Sequence, residues 1–267
     1  MHSGINHTHM ESTIQKETPD TPQDNSDVIT MRHIAKSFGD NAILKDINMD
    51  LHKGENLVIL GKSGTGKSVT IKLIVNLLEY DKGELKVFGD EVKDLSEAEL
   101  KKLRTRVGFL FQSAALYDSM TVRENLEFPL KRILKIKDEK ELEERIKEVL
   151  DSVGLPDAID KMPSELSGGM RKRIGLARTI ILKPEIMLYD EPTTGLDPIT
   201  SKEISQLIMS MQEKFKISSI IITHDIACAK ITANRMMVMD KGEFVAEGTF
   251  EELENSSDDF IKSFFKL

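Results

Sequence analysis

The sequence contains a single cysteine, Cys228, and no tryptophan. A lone cysteine excludes a disulfide within the chain and makes a reducing compartment the simpler interpretation. Long apolar runs are also missing, since a membrane-spanning helix needs about 20 consecutive apolar residues and segments such as 57–60 and 180–182 are far shorter. We therefore predict no membrane span.

Basic residues are outnumbered, because 37 Lys and Arg face 45 Asp and Glu and give a formal net charge of −8. A general nucleic-acid binder needs a basic face that displaces counterions from phosphates, so we expect no nucleic-acid partner. The polar, acidic residues 1–27 lack the apolar stretch of a secretory signal, and we predict a flexible tail there. Nothing fixes the geometry of its histidines His2, His7 and His9, which argues against a metal site.

Hydrophobic residues make up 39% of the 267 positions, which is enough for a core. From Val28 onward, strand patterns alternate with helix patterns, and this order predicts an α/β fold. Segments 29–35 and 43–51 partly alternate apolar and polar residues, as half-exposed antiparallel strands do. Short apolar runs predict strands that are covered on both faces at 56–60, 186–189 and 219–223.

Helix patterns fill much of the middle of the chain. Ser96 and Glu99 have the spacing of a capping box. The further predicted elements are helices over 69–78, from 96 past 103, over 138–153 and over 170–181, a hairpin over 83–92, and strands over 236–239 and 243–246. We predict one domain over 28–267, with a helical block at about 95–180 and a short C-terminal tail at about 250–267.

Residues 61–68, GKSGTGKS, fit the phosphate-binding pattern G-x-x-x-x-G-K-[ST]. Glycines let consecutive N–H groups point at phosphate oxygens, and the helix that follows aims its positive end at the same anion. A strand before and a helix after disfavour the alternative, a glycine-rich turn with a stray lysine. We assign nucleotide binding to Gly61, Lys62, Ser63, Gly64, Thr65, Gly66, Lys67, Ser68 and Val69. Lys67 can reach the β- and γ-phosphates, and the Ser68 hydroxyl can bind Mg²⁺.

An acidic pair, Asp190 and Glu191, follows the apolar run at 186–189. Asp190 therefore lies at the carboxyl end of a buried strand, where ligands bind in α/β sheets, and it can hold Mg²⁺. Glu191 is the natural candidate to orient or deprotonate the attacking water. Alone, such a pair usually marks only a strand end. Together with residues 61–68, which we call the phosphate loop, it is much more specific.

A Ser-Gly-Gly segment, residues 167–169, opens the helix predicted at 170–181. A helix start offers free N–H groups and the positive end of a dipole to an anion. As an isolated helix cap, the segment would be unremarkable. Its place shortly before the strand at 186–189 makes it informative.

These elements, in this order, resemble the nucleotide-binding subunit of an ABC transporter over nearly the whole chain from Val28. The resemblance implies a P-loop ABC ATPase core with an antiparallel β subdomain and an inserted α-helical subdomain, and it implies ATP and Mg²⁺ as ligands. It gives Phe38 the role of stacking on adenine and Asp197 that of the D-loop aspartate. Ser167, Gly168 and Gly169 become the signature motif that binds ATP. Lys67, Gln112, Glu191 and His224 take catalytic roles, and Ser68, Gln112 and Asp190 hold the metal.

Each residue that the resemblance adds has a structural alternative. Phe38 could be an aromatic residue of the core or of a turn, and Gln112 could cap a helix or lie on the surface. His224 could be a histidine at a strand end whose hydrogen bonds are all made within the fold. The combination of motifs, rather than any one of them, favours the functional roles.

The resemblance also implies partners. In ABC proteins, ATP lies between the phosphate loop of one subunit and the signature helix of the other, so we predict a C2 homodimer with two ATP sites. A chain without a membrane span needs an integral membrane permease, and the groove near Gln112 would receive a helix of that permease. We expect a peripheral protein at the cytoplasmic face of the inner (cell) membrane.

A closer resemblance is to the Mla-type lipid transporter ATPases, and it rests on segments 112–130, 166–170 and 248–265. It implies phospholipid as the cargo, a permease dimer of the MlaE type and an MCE-domain lipid-binding protein in the same complex. The alternatives are an ABC ATPase for lipoprotein release or small solutes, and a soluble ABC ATPase without a transport role. The long N-terminal tail departs from the Mla pattern.

The last eight residues, 260–267, are amphipathic. They could touch a membrane, pack on their own domain, or contact the twin subunit. We favour the contact with the twin subunit.

Overall fold

The computed structural model describes residues 26–266, and the strands in this range form two sheets. The predicted tail, with His2, His7 and His9, lies outside the described residues except for positions 26 and 27, and Asp27 already begins the first strand. The strands are β1 (Asp27–Phe38), β2 (Asn41–His52), β3 (Asn56–Leu60), β4 (Lys82–Val87), β5 (Asp90–Glu91), β6 (Val107–Leu110), β7 (Ile186–Asp190), β8 (Ser218–Thr223), β9 (Arg235–Asp240) and β10 (Glu243–Gly248).

The larger sheet has the order β10-β9-β3-β8-β7-β6. All its pairs are parallel except the antiparallel pair of β9 and β10. Every residue of β3, β7 and β8 is buried, so the prediction that these apolar runs are covered on both faces is confirmed. Parallel strands need such cover because their crossover helices pack on the sheet faces.

The smaller sheet is antiparallel and has the order β2-β1-β4-β5. Its two long strands, β1 and β2, each have 12 residues and extend beyond the predicted segments at both ends. The inner face of β1 is formed by Ile29, Met31 and Ile34, which are buried in the same hydrophobic cluster as Leu57 and Ile59 of β3. The smaller sheet therefore packs against the strand that leads into the phosphate loop.

The helices in the described range are α1 (Lys67–Ile74), α2 (Glu97–Arg106), α3 (Val122–Arg132), α4 (Glu139–Ser152), α5 (Gly168–Ile180), α6 (Pro198–Phe215), α7 (Ile226–Thr232), α8 (Phe250–Glu254) and α9 (Asp259–Lys262). None of them is both long enough and apolar enough to cross a membrane. The α/β architecture predicted from the order of patterns is confirmed.

The predicted helical block at about 95–180 is not continuous, because β6 lies inside this range and pairs with β7 at the edge of the larger sheet. Residues 107–110 form only a short apolar run. The run directly follows the capped helix, so the sequence pattern does not distinguish it from a continuation of that helix. The remaining helices of the block, α3, α4 and α5, pack together through one hydrophobic core. Their own residues Leu126, Leu142, Ile146 and Ile174 are buried in it. The capping box at Ser96 and Glu99 is present as predicted.

Two predicted helices have different bounds in the structure. The helix predicted over 69–78 begins at Lys67 and ends at Ile74, and Asn76 then adopts a φ of 50°. A left-handed residue cannot continue an α-helix, and it leaves Leu77 half-exposed instead of on the buried face. The helix predicted from 170 begins at Gly168, because Ser167 caps it by accepting a hydrogen bond from the Met170 N–H.

The C-terminal segment packs on its own domain. Ile261 is buried in the core, and the Phe265 ring meets the Phe250 ring edge-on at a centroid distance of 5.3 Å. Of the three alternatives for residues 260–267, the structure of one chain therefore supports the contact with its own domain. The contact with a twin subunit stays a prediction.

Candidate functional site

The phosphate loop joins β3 to α1, and its glycines are required by close packing. A Cβ added to Gly61 would lie 2.5 Å from the Met239 main-chain oxygen. Gly66 has a φ of 110°, and a Cβ there would lie 2.6 Å from a methyl group of Leu44. L-amino acids with side chains rarely adopt such a φ. The loop can therefore keep this path only with glycine at both positions.

Lys67 is the first residue of α1 and its side chain is 5% exposed. Its Nζ donates hydrogen bonds to the main-chain oxygens of Gly61 at 2.6 Å and Lys62 at 2.9 Å. Burial lowers the pKa of Lys67, and the carboxylates of Glu191 and Asp190 act in the opposite direction. These bonds hold a cation directly under the loop, where an anion cradled by the loop N–H groups would meet it.

Asp190 ends β7, and its Oδ1 accepts a hydrogen bond of 2.8 Å from the hydroxyl of Ser68. The two side chains are brought together across 122 positions of sequence by the sheet and α1. A hydroxyl and a carboxylate oxygen are hard donors of the kind Mg²⁺ prefers, and Mg²⁺ commonly takes only one or two protein ligands beside phosphate oxygens. This donor pair therefore fits the predicted metal ligands Ser68 and Asp190.

Glu191 follows β7 with a φ of 50°, a conformation that is uncommon for a residue other than glycine. Its N–H donates to the Ile222 oxygen at 2.9 Å, which ties the strained residue to β8. Its carboxylate lies 2.8 Å from Nδ1 of His224 and 3.3 Å from the hydroxyl of Thr194. The Lys67 Nζ is 3.8 Å from Glu191 Oε1. The carboxylate is thus fixed beside the ammonium of the phosphate loop.

Most of these groups line one cleft of about 740 Å³, which we call the main cleft, whereas the predicted residues Gly61, Thr65 and Asp190 do not line it. The cleft brings together most residues predicted for the site: Phe38, Lys62, Ser63, Gly64, Gly66, Lys67, Ser68, Val69, Gln112, Glu191 and His224. It also contains Ile43 and Thr194, which sequence reasoning missed. The polar Thr194 between Glu191 and Asp197 was a usable signal, whereas the apolar Ile43 carried none.

The structural alternatives for three of these residues can now be compared with the geometry. Phe38 is 49% exposed at the end of β1, which excludes a core role. Gln112 is exposed in a turn after β6 and caps no helix. His224 does follow a strand and does have a partner, but that partner is the carboxylate of Glu191. The functional assignments of all three stay predictions.

The Ser-Gly-Gly segment and Asp197 do not line the main cleft. Gly168 lies instead with Leu196 in a neighbouring hollow of about 210 Å³. A Cβ added to Gly169 would lie 2.5 Å from a methyl group of Thr200, so the starts of α5 and α6 pack closely. Asp197 caps α6. Hydrogen bonds to its carboxyl lower the pKa of that group, and the largest effect comes from the Thr200 hydroxyl. The start of α5 therefore lies outside the main cleft of its own chain.

Comparisons with known proteins agree on the family. Residues 44–194 match the family model described as ABC transporter. The probable ribonucleotide transport ATP-binding protein mkl of Mycobacterium leprae is 39% identical over 236 residues, which cover 88% of this chain and 68% of mkl. The methionine import ATP-binding protein MetN of Clostridium tetani is 37% identical over 226 residues, or 85% of this chain and 70% of MetN.

A plant protein and a solved structure extend the comparison. The chloroplastic protein TRIGALACTOSYLDIACYLGLYCEROL 3 of Arabidopsis thaliana is 38% identical over 260 residues, covering 91% of this chain and 74% of the plant protein. The dimeric post-hydrolysis structure of the ATP-binding cassette MJ0796, bound to ADP and Pi, is 31% identical. The superposition with MJ0796 covers 83% of this chain and 98% of the MJ0796 chain, with a TM-score of 0.75.

The geometry of Lys67 generates a test. Lys67→Ala removes the buried cation while the glycines of the loop remain, so ATP binding should weaken by a factor on the order of 10² or more, as expected for the loss of charge-assisted phosphate contacts. Lys72→Ala, in the last turn of the same helix, is the control and should bind ATP as the wild type does. Equilibrium titration with ATP measures both. Equal affinity in the two variants would contradict the assignment of Lys67.

Proposed function

Because the chain belongs to the ABC transporter family as an ATP-hydrolysing, ATP-binding subunit, we propose that it powers lipid transport, with phospholipid as the cargo, through a separate permease dimer of the MlaE type. An MCE-domain lipid-binding protein belongs to the same complex. The observation that carries the chemical part is the position of Glu191 between the Lys67 ammonium and the His224 imidazole at the main cleft.

In this proposal the phosphate loop holds the triphosphate of ATP through its N–H groups, and Lys67 neutralises the β- and γ-phosphates. Phe38, exposed at the rim of the cleft, stacks on the adenine ring. Glu191 orients the attacking water and accepts its proton. His224 holds the Glu191 carboxylate and faces the γ-phosphate, and Gln112 lines the same cleft.

Mg²⁺ bound to Ser68 and Asp190, with Gln112 as a further ligand, would neutralise the charge of the phosphate groups. The residues themselves supply the arrangement. The hydrogen bond from Ser68 to Asp190 sets the hydroxyl and the carboxylate side by side.

We further propose that the second half of each site comes from a twin subunit. Gly168 lies in the hollow beside the main cleft, and the exposed Ser167 and Asp197 do not line the main cleft. A C2 pair of chains would bring the start of α5 of one copy to the phosphate loop of the other, twice. ATP would then favour the closed pair, and hydrolysis with loss of phosphate would let it open.

The permease is proposed to dock in an apolar groove, the docking groove, next to Gln112. This groove has a volume of about 300 Å³ and is lined by Leu77, Phe109, Tyr117, Phe128, Ile133 and Arg178, among others. Leu77, Tyr117 and Ile133 are 49%, 44% and 47% exposed, which is unusual for large apolar residues. Arg178 also lines the groove, and its guanidinium lies 5.3 Å from the centroid of the Tyr117 ring.

The cargo rests on the resemblance of segments 112–130, 166–170 and 248–265 to Mla-type ATPases. A relative that covers 91% of this chain is named for a galactolipid, which supports lipid. Other relatives are named for ribonucleotide or methionine transport, so an ATPase for a small solute is the second candidate. The proposed location is peripheral, on the cytoplasmic face of the inner membrane, because a permease would hold the subunit there.

Glu191→Gln tests the proposed base. The variant keeps the size and the hydrogen-bonding capacity of the side chain but loses its basicity, so hydrolysis should slow by a factor on the order of 10²–10⁴. ATP binding should be retained, and the protein should accumulate as an ATP-bound pair in size-exclusion chromatography. Glu213→Gln, an exposed residue of α6, should behave as the wild type. Full turnover in Glu191→Gln would mean that the water is activated elsewhere.

The docking groove is tested by co-purification from detergent-extracted membranes. Leu77→Asp places a charge in the groove and should lose the permease, whereas Val245→Asp, at a residue of β10 with a similar 46% exposure, should keep it. The identity of the proteins that co-purify with the wild type tests which cargo the complex transports. A permease with an MCE-domain protein supports lipid, and a permease with a periplasmic solute-binding protein would overturn it. Retention by both variants would contradict the docking site.

A further inference from the structure

Lys172 lies in the second turn of α5 and is buried, with 6% of its surface exposed. Its Nζ donates one hydrogen bond to the main-chain oxygen of Gln112 and a second, of 3.3 Å, to the main-chain oxygen of Glu191. These two residues lie in different loops, after β6 and after β7. One ammonium group therefore connects three segments that each contribute to the predicted site.

A buried ammonium is costly, since the charge loses its hydration, and proteins keep such a group only where it is paired or hydrogen-bonded. Burial lowers the pKa of Lys172, and the carboxylates of Asp190 and Glu191 counteract that effect. An apolar side chain of similar length would fill the same space without the cost. A role in packing alone thus leaves the charge of Lys172 unexplained.

The bond to Glu191 acts on a residue whose backbone is strained. Glu191 has a φ of 50°, and its N–H is already fixed to the Ile222 oxygen. On the other side of the same residue, the Lys172 ammonium and the Thr194 N–H both donate to the Glu191 carbonyl, each at 3.3 Å. Both peptide groups of Glu191 are thereby fixed, so the direction in which its carboxylate leaves the main chain is set.

The bond to Gln112 acts on an exposed turn. Gln112 belongs to no helix, and it lines both the main cleft and the neighbouring hollow. Lys172 itself also lines the hollow. The same helix α5 reaches the docking groove about two turns later, through Arg178 and Thr179. Lys172 is therefore the point at which α5 contacts both the Gln112 turn and the loop that carries Glu191.

We propose that Lys172 is a positioning residue, which holds the main chains of Gln112 and Glu191 in a fixed relation and so aligns the Glu191 carboxylate for ATP hydrolysis. The proposal rests on the proposed role of Glu191. It assigns Lys172 no contact with ATP, and it predicts an effect on turnover rather than on nucleotide affinity.

The test compares the full-length Lys172→Met, Lys172→Arg and Lys147→Met proteins. Lys172→Met keeps the length of the side chain without its donors, and kcat should fall about 10²-fold, the cost of misplacing a reacting group. The Kd for ATP should change less than about twofold, because a lost positioning contact acts on the chemical step. Lys172→Arg retains donors and should recover most of kcat. Lys147 pairs with Asp151 on the surface of α4, so its variant should match the wild type.

A second measurement asks whether Lys172 acts through Glu191. In single-turnover experiments, adding Lys172→Met to Glu191→Gln should slow hydrolysis less than about threefold further, since residues that act as a unit are not additive. A merely structural contribution would multiply the two effects. Thermal unfolding of each variant identifies a general loss of the fold.

Three outcomes would overturn the proposal. They are a wild-type kcat in Lys172→Met, a multiplicative effect in the double variant, and a joint loss of kcat, ATP affinity and melting temperature that Lys172→Arg does not restore. Failure of the proposed role of Glu191 is distinguishable, because then Glu191→Gln alone would turn over normally.

Discussion

The alignment of three parallel strand ends is the constraint on which the rest of the site depends. Leu60 of β3 pairs with Thr223 of β8, and Asp190 of β7 pairs with Ile222 of β8. Because these ends lie at one edge of the sheet, the residues that follow them meet there. The phosphate loop, Glu191 and His224 are the immediate continuations of these strands, so their chemistry is assembled by strand register rather than by any loop alone.

Much of this arrangement could be predicted from the sequence, since its signals are local. The spacing of residues 61–68 identifies a phosphate loop, and apolar runs identify β3, β7 and β8 as buried strands. Other features depend on tertiary contacts. The helix over 69–78 was extended too far because Leu77 repeats the spacing of Leu73, yet Leu77 faces the docking groove and not the core. The short strand β6 was missed because the β7 residues with which it pairs are 79 positions away, and its short apolar run alone does not indicate a strand.

The position of Lys172 also could not be predicted from the sequence, because it depends on tertiary contacts. In the sequence it is one of several basic residues after the Ser-Gly-Gly segment, and nothing separates it from its exposed neighbour Arg171. Its partners are main-chain oxygens, which leave no trace in residue identity. By contrast, the position of the start of α5 outside the main cleft agrees with the expectation from the sequence, in which the phosphate loop and the helix start are distinct segments that the proposed second copy would bring together.

The central claim is that each ATP lies between two chains, and mixing two defective proteins tests it directly. Lys67→Ala lacks the phosphate-loop half of the site, and Ser167→Arg blocks the helix-start half by placing a bulky cation at the cap of α5. Neither protein alone can form a complete site. In an equimolar mixture, half of the pairs would contain one intact site of two, so ATP hydrolysis should rise to about a quarter of the wild-type rate. A mixture no more active than its separate components, or normal hydrolysis by Ser167→Arg alone, would contradict the account.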